Sequence, residues 1–275
     1  MDQKNLPKII DFHTHTFPEK IAAKALARLQ GFSGITPVTD GTISGTISRF
    51  EEFGIDMCVS LNIATSLTAH TTINNICAED NAMYDGKMVF FGSVNPLSPD
   101  ALDELDRIKT LGIKGIKVHP DYQGFYTNEK RIYPFYEKVS EIGLPIVFHA
   151  GWDCYSPNDI HSTPLMNRQV ALDFPNMKMV LAHFGGLNMW EQVRDLLAGL
   201  PNVWFDTAMC KTMGLSKELF MEIYNRHSED RVMLGSDCPW ENPAESVKYV
   251  ESLPLSDAQK EKVFNLNALS LLDII

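Results

Sequence analysis

The feature that most constrains this chain is a repeated alternation of strand-like and helix-like segments. Eight short apolar runs, Lys8–Phe12, Ile55–Leu61, Met88–Val94, Ile113–Val118, Pro145–Phe148, Lys178–Ala182, Val203–Phe205 and Arg231–Gly235, are each followed by a stretch with helical periodicity. Amphipathic segments such as Pro99–Leu111, Arg131–Ile142, Thr163–Phe174, Trp190–Leu200 and Lys217–His227 separate them. Strands joined through helices pair in parallel. Eight such units in 275 residues close most economically as an α/β fold of the (β/α)8 TIM-barrel type, with an open doubly wound sheet as the alternative. No G-x-G-x-x-G follows the first strand, which weighs against dinucleotide binding. The expectation is one domain over residues 1–275, with an insertion around 17–41 made of a helix (Glu19–Gln30) and an irregular flap. Ser98-Pro99-Asp100 reads as a helix start, and Gly112 and Gly143 as helix ends.

Charge narrows the partners. Lys+Arg number 24 against 35 Asp+Glu, a net charge of −11, so no field gathers nucleic acid or an anionic membrane surface. Small molecules are the expected partners. The opening MDQKNLPKII lacks the pattern of a secretory leader and no run approaches a membrane span, so a cytoplasmic location is expected. Five cysteines without C-x-x-C spacing read as reduced thiols. The apolar Leu269–Ile275 is expected to pack on the barrel or on a partner, and a homodimer is the prior for such a barrel.

The chemistry lies at the strand ends. The first strand closes Asp11-Phe12-His13-Thr14-His15, and side chains two apart on a strand share a side, so both imidazoles project together. The fifth, sixth and eighth runs lead to His149, His183 and Asp237. In a barrel those carboxyl ends form one face, where barrel enzymes keep their sites. Five of the eight histidines, His13, His15, His119, His149 and His183, fall at strand ends, whereas His70, His161 and His227 lie on helices or in a loop. Convergent imidazoles and a carboxylate are what a zinc-like ion needs.

The segments DFHTHTF, GIKVHP, VFHAG, LAHFGG and LGSDCPW resemble the amidohydrolase superfamily, in the branch that includes aminocarboxymuconate semialdehyde decarboxylase. The likeness spans nearly the whole chain. It implies that His13, His15, His149 and Asp237 bind one divalent metal and that His183 contacts the bound water or the reacting group. Zn2+ is the first choice, with Mn2+, Fe2+ and Ni2+ as other candidates. Many superfamily members hold two metals bridged by a carbamylated lysine at the fourth strand. Here Lys117 and His119 share parity at that strand end, and the mononuclear form is favoured.

Asp237 is the expected proton carrier and His183 a group that polarises a carbonyl or acts as base. Lys117, His119, Tyr122, Trp152, Lys211 and Trp240 are the candidate substrate contacts. Phe17, Phe125, Tyr126, Tyr155 and Phe184 extend an aromatic rim, and one of Cys154, Cys210 and Cys238 is expected near the metal. The leading function is hydrolysis of a C–N or C–O bond in a small, cyclic or aromatic substrate by metal-activated water. The alternative is non-oxidative decarboxylation of an aromatic or muconate-like acid. A catalytically silent binding barrel should have lost a ligand, and none of the four is lost.

Overall fold

Every apolar run contains a strand in the computed structural model, which describes residues 6–275; residues 1–5, the start of the opening segment considered above, lie outside the described residues. The strands are β1 (Ile10–Thr14), β2 (Met57–Leu61), β3 (Met88–Phe91), β4 (Ile116–Val118), β5 (Ile146–Phe148), β6 (Met179–Leu181), β7 (Val203–Asp206) and β8 (Val232–Met233). All neighbouring pairs are parallel, in the orders β1-β2-β3 and β4-β5-β6-β7-β8. Bridges Gly92↔Ile116 and Thr14↔Cys238 join the two sheets at both seams, so the strands close into a barrel. The β8–β1 seam is carried by Phe12 N–H to Leu234 O at 2.8 Å and Asp237 N–H to His13 O at 2.8 Å.

The helices are α1 (Glu19–Ser33), α2 (Ile43–Ile47), α3 (Phe50–Phe53), α4 (His70–Met83), α5 (Ala101–Thr110), α6 (Pro120–Gln123), α7 (Tyr133–Ile142), α8 (Pro164–Asp173), α9 (Trp190–Leu196), α10 (Lys217–Arg226), α11 (Pro243–Glu251), α12 (Asp257–Glu261) and α13 (Asn267–Leu271). The insertion helix runs a turn beyond expectation and stops at Gly34, whose φ of 69° ends it in the left-handed region. Helix α5 starts at Ala101, after the expected Ser98-Pro99-Asp100 start, because the Ser98 hydroxyl bonds to Leu67 O and Asp100 instead of capping. Helix α9 stops at Leu196, short of Leu200.

One apolar cluster lies between strands and helices. A second takes Ile10, Phe12, Val59, Leu61, Phe91, Val147, Val180 and Met233 from strands all around the barrel, and is therefore its interior. Leu269, Leu271 and Leu272 pack into this cluster with Ile10 and Met57, the first residues of β1 and β2. The C-terminal segment thus plugs the amino-terminal end of the barrel and leaves the other end to the histidines. No helix among the described residues is long and apolar enough to cross a membrane.

Candidate metal centre and reaction cavity

The β1 and β8 ends meet over the barrel mouth. Gly235 makes the approach feasible, since a Cβ there would stand 2.9 Å from His13 Cβ. His13 Nε2 and His15 Nε2 are 3.2 Å apart, and Asp237 Oδ1 is 3.2 Å from the first and 3.0 Å from the second. The far side of each ring fixes its tautomer. His13 Nδ1 lies 2.9 Å from Asp206 Oδ2, and His15 Nδ1 lies 2.8 Å from Leu61 O. A carboxylate and a carbonyl only accept, so each Nδ1 carries a hydrogen and each ring turns its Nε2 towards Asp237.

Three acceptors so close in a buried pocket repel one another unless a positive charge lies among them. Burial opposes a proton on His13, but the Asp206 carboxylate outweighs it and raises the ring's proton affinity. The arrangement therefore demands positive charge, and its nitrogen and oxygen donors fit a divalent metal.

His183 and Asp237 share an uncommon backbone, with φ of 58° and 71°. Left-handed conformation in residues with a Cβ is strained, and such strain gathers at functional sites. The surroundings hold His183 in place: its N–H donates to Asp206 Oδ1 at 3.0 Å, and the Trp190 indole donates to its carbonyl at 3.0 Å. Its Nδ1 faces Ala208 O at 3.3 Å, which leaves Nε2 directed at His149 Nδ1, 3.0 Å away. Burial pushes the His183 pKa down to about 4, so the ring is neutral at pH 7.

Across the mouth, the rings of His149, His119 and Tyr122 form a stack. Centroids are 4.2 Å apart at 8° for His119 and His149, and 3.7 Å apart at 1° for His119 and Tyr122. His119 Nδ1 accepts the Tyr122 N–H at 3.5 Å, so its Nε2 carries the hydrogen towards Asp153 Oδ2, also 3.5 Å away. His149 Nε2 is buried without a hydrogen bond, with Asp153 Oδ2 at 3.6 Å. Beneath lies Lys117, 1% exposed, whose pKa burial pushes down to about 8 against the pull of Asp206, Asp237 and Asp153.

These groups line one cavity of about 1110 Å3. It brings together His13, His15, Lys117, His119, Tyr122, His149, Trp152, His183, Asp237 and Trp240. Lys211 is a correction. The chain turns at Met209, φ 61°, and Lys211 reaches outward, with Nζ 2.5 Å from Glu245 and outside the cavity lining. The expected rim also divides: Phe17 and Tyr155 face the cavity, Phe125 and Phe184 are core, and Tyr126 bonds Asp159 at the surface. Of the thiols only Cys154 lines the cavity, while Cys210 and Cys238 are buried with their pKa raised by that burial. His161 ties loops together, its Nδ1 3.1 Å from Phe125 O and its ring stacked on Tyr126.

Sequence reasoning passed over Asp206, which bonds both the His13 ring and the His183 backbone, and Asp153. It also passed over Lys24, Arg28 and Phe32 of α1, all of which line the cavity. An acidic residue directly after the seventh apolar run was the available signal for Asp206. Nothing in the local pattern marks the other four.

The family model described as Amidohydrolase matches residues 10–274. A 2-keto-4-carboxy-3-hexenedioate hydratase of Sphingobium sp. is 24% identical over 216 aligned positions, covering 62% of this chain and 62% of that protein. The chain thus spans just under two thirds of that relative's length. A gamma-resorcylate decarboxylase of Polaromonas sp. is 24% identical over 284 aligned positions, covering 82% of this chain and 85% of the relative. Among solved structures, a dihydroxybenzoic acid decarboxylase from Polaromonas sp., with bound manganese and the inhibitor 2-nitroresorcinol, superposes with a TM-score of 0.71. It is 17% identical and covers 97% of each chain.

Proposed function

Because the chain belongs to the amidohydrolase family, in the branch of aminocarboxymuconate semialdehyde decarboxylase, we propose that it is a metal-dependent decarboxylase of an aromatic or conjugated carboxylic acid. The acceptor trio alone would serve hydrolysis, the first expectation from the sequence, equally well. What carries the choice is the alignment with gamma-resorcylate decarboxylase over most of both chains.

In this reading His13, His15 and Asp237, whose donor atoms lie together, hold one divalent ion with His149 as its fourth ligand from across the mouth, and nitrogen and oxygen donors of this kind suit Mn2+ as well as Zn2+. When bound, that ion supplies Lewis-acid charge to the substrate's oxygens. The remaining steps belong to the chain. The flat stack of Tyr122, His119 and His149 gives a planar ring a wall to lie against, and Lys117 places a buried cation below it. Loss of carbon dioxide leaves an electron pair on ring carbon, which must take a proton. Asp237, an ionised carboxylate, would relay it by taking a proton from cavity water and passing it to the ring carbon, since Oδ1 faces the imidazoles while Oδ2 makes no hydrogen bond among the described residues and the side chain opens on the cavity. His183, neutral and locked by Asp206 and Trp190, holds the His149 ring through Nε2 and borders the cavity where the reacting group would lie.

The test is incubation of Mn2+-loaded and Zn2+-loaded protein with 2,6-dihydroxybenzoate and related hydroxybenzoates in D2O. Release of carbon dioxide, with one deuterium on the carbon that bore it, is the expected result. Turnover of lactones or amides with oxygen drawn from labelled water, and none of the acids, would return the assignment to a hydrolase.

A further inference from the structure

The cavity is larger than a single-ring acid requires. Pockets of about 300–1,000 Å3 enclose drug-sized ligands, and this one, about 1110 Å3, continues from the histidines out to a groove between α1 and α4. Two features of that outer end are independent of the metal centre. The first is an aromatic wall. The His149–His119–Tyr122 stack is continued by Tyr155, 5.1 Å from Tyr122 at 80°, and by Phe32 of α1, 5.5 Å from Tyr155 at 74°. The second is one face of α1. Ile21, Lys24, Ala25, Arg28, Leu29 and Phe32 follow helical spacing along it and line the cavity, with Ile73 and Ile76 of α4 among the residues opposite. Ile21 and Phe32 are 50% and 47% exposed, an apolar surface open to solvent. Among the described residues neither Lys24 nor Arg28 enters an ion pair, as Lys109 of α5 also does not, whereas Arg107 of α5 and Arg194 of α9 do.

We propose that the substrate is an extended amphipathic acid whose apolar arm runs along the Tyr122–Tyr155–Phe32 wall and ends in a second anionic group between Lys24 and Arg28. The identity of the reacting end rests on the decarboxylase reading; the outer end rests on the wall, the helix face and the unpaired cations. An apolar arm there removes exposed Ile21 and Phe32 surface from water, and the terminal anion satisfies two charges one helical turn apart.

The probes are 2,6-dihydroxybenzoate and two derivatives bearing an eight-carbon chain para to the carboxylate, ended by a methyl or by a carboxylate. Calorimetric titration of Mn2+-loaded protein should show the chain-bearing diacid binding at least about ten-fold tighter than the parent. Lys24→Glu with Arg28→Glu, both exposed on the helix, should weaken the diacid about ten-fold and leave the parent unchanged. Phe32→Ala should weaken both chain-bearing acids by about three-fold. A diacid that binds no better than the parent, or that ignores the charge reversal, overturns the proposal. If no hydroxybenzoate binds, anilinonaphthalene sulfonate reads the outer end alone. Binding weakened by the double charge reversal then upholds the extended anionic site while the decarboxylase reading falls, and binding insensitive to it overturns the site itself.

Discussion

Two groups of histidines face each other across the barrel mouth, and they are built differently. On the β1, β7 and β8 side, His13 and His15 are each fixed by a hydrogen bond at Nδ1, to Asp206 and to Leu61 O, and their Nε2 atoms meet Asp237 within 3.2 Å. On the β4 and β5 side, His149 Nδ1 meets His183 Nε2 at 3.0 Å, but His119 is held by stacking and a long 3.5 Å contact from the Tyr122 N–H, and Asp153 stands 3.5–3.6 Å from both Nε2 atoms, at or beyond ordinary hydrogen-bond reach. Hydrogen bonds set ring direction tightly, whereas a stack leaves rings free to slide and rotate in plane. The first group is therefore suited to hold an ion of fixed geometry, and the second to adjust to a substrate. His149 touches both through His183 and belongs to the seam between them.

The comparison breaks most sharply at Asp237. Asp237→Asn and His13→Ala should each take metal content from one equivalent to near zero after dialysis, with activity down at least about 10³-fold, since several kcal/mol of charge stabilisation leave with the ion. Retained metal in both variants would show that the β1 and β8 ends are not the ion's holder. Next in size is Asp206→Asn, which keeps the shape of the His13 contact and removes its charge. Metal affinity should fall about 10–100-fold with the ligand set intact, read by competition with a fluorescent chelator. An unchanged affinity would mean that ring direction, not charge, is what Asp206 provides.

The barrel and the convergence of histidines and Asp237 on its mouth were legible because they follow period and position. Eight apolar runs announced eight strands, and His13, His15, His149, His183 and Asp237 stood at strand ends, where a two-residue period or a terminal place fixes direction. Asp206 stood one residue past a run that carried no histidine to draw attention. Lys211 failed for the opposite reason: its place after β7 was read correctly, but the turn at Met209 decides where the side chain goes, and a left-handed methionine leaves no mark in the sequence. The outer cations were hidden differently. Lys24 and Arg28 look like any solvated helix charges until the tertiary fold sets that face of α1 against the cavity.

The second group should respond in a different observable. His119→Phe preserves the stack on Tyr122 and His149 while removing the hydrogen that points at Asp153. Metal stoichiometry should stay at one equivalent, and kcat/KM for the best acid substrate should fall by about ten-fold, mostly through KM if the ring positions substrate. Loss of metal in this variant would merge the two groups into one.

The smallest effect is a proton count, and it separates the groups by sign. In the metal-free protein His13 has its proton affinity raised above the ordinary 6.5, burial being outweighed by Asp206, so its contribution to stability is present in full below about pH 6.5 and is lost as pH rises through its folded value. His149 is shifted the other way, well below 6.5, by burial and by its neighbours His119 and His183. Its neutral form is the stable one, and its contribution is present above about pH 6.5 and lost on acidification. An arriving cation needs neutral imidazoles, so at about pH 6.5 it must displace a proton from His13 and none from His149. Calorimetry of Mn2+ binding in two buffers of different ionisation enthalpy should therefore give a release of more than about half a proton per metal at pH 6.5. Asp206→Asn removes the charge that raises His13 and should shrink that number, whereas His119→Phe should leave it alone. Release that is insensitive to Asp206 would place the displaced proton elsewhere and erase the electrostatic distinction between the two sides of the mouth.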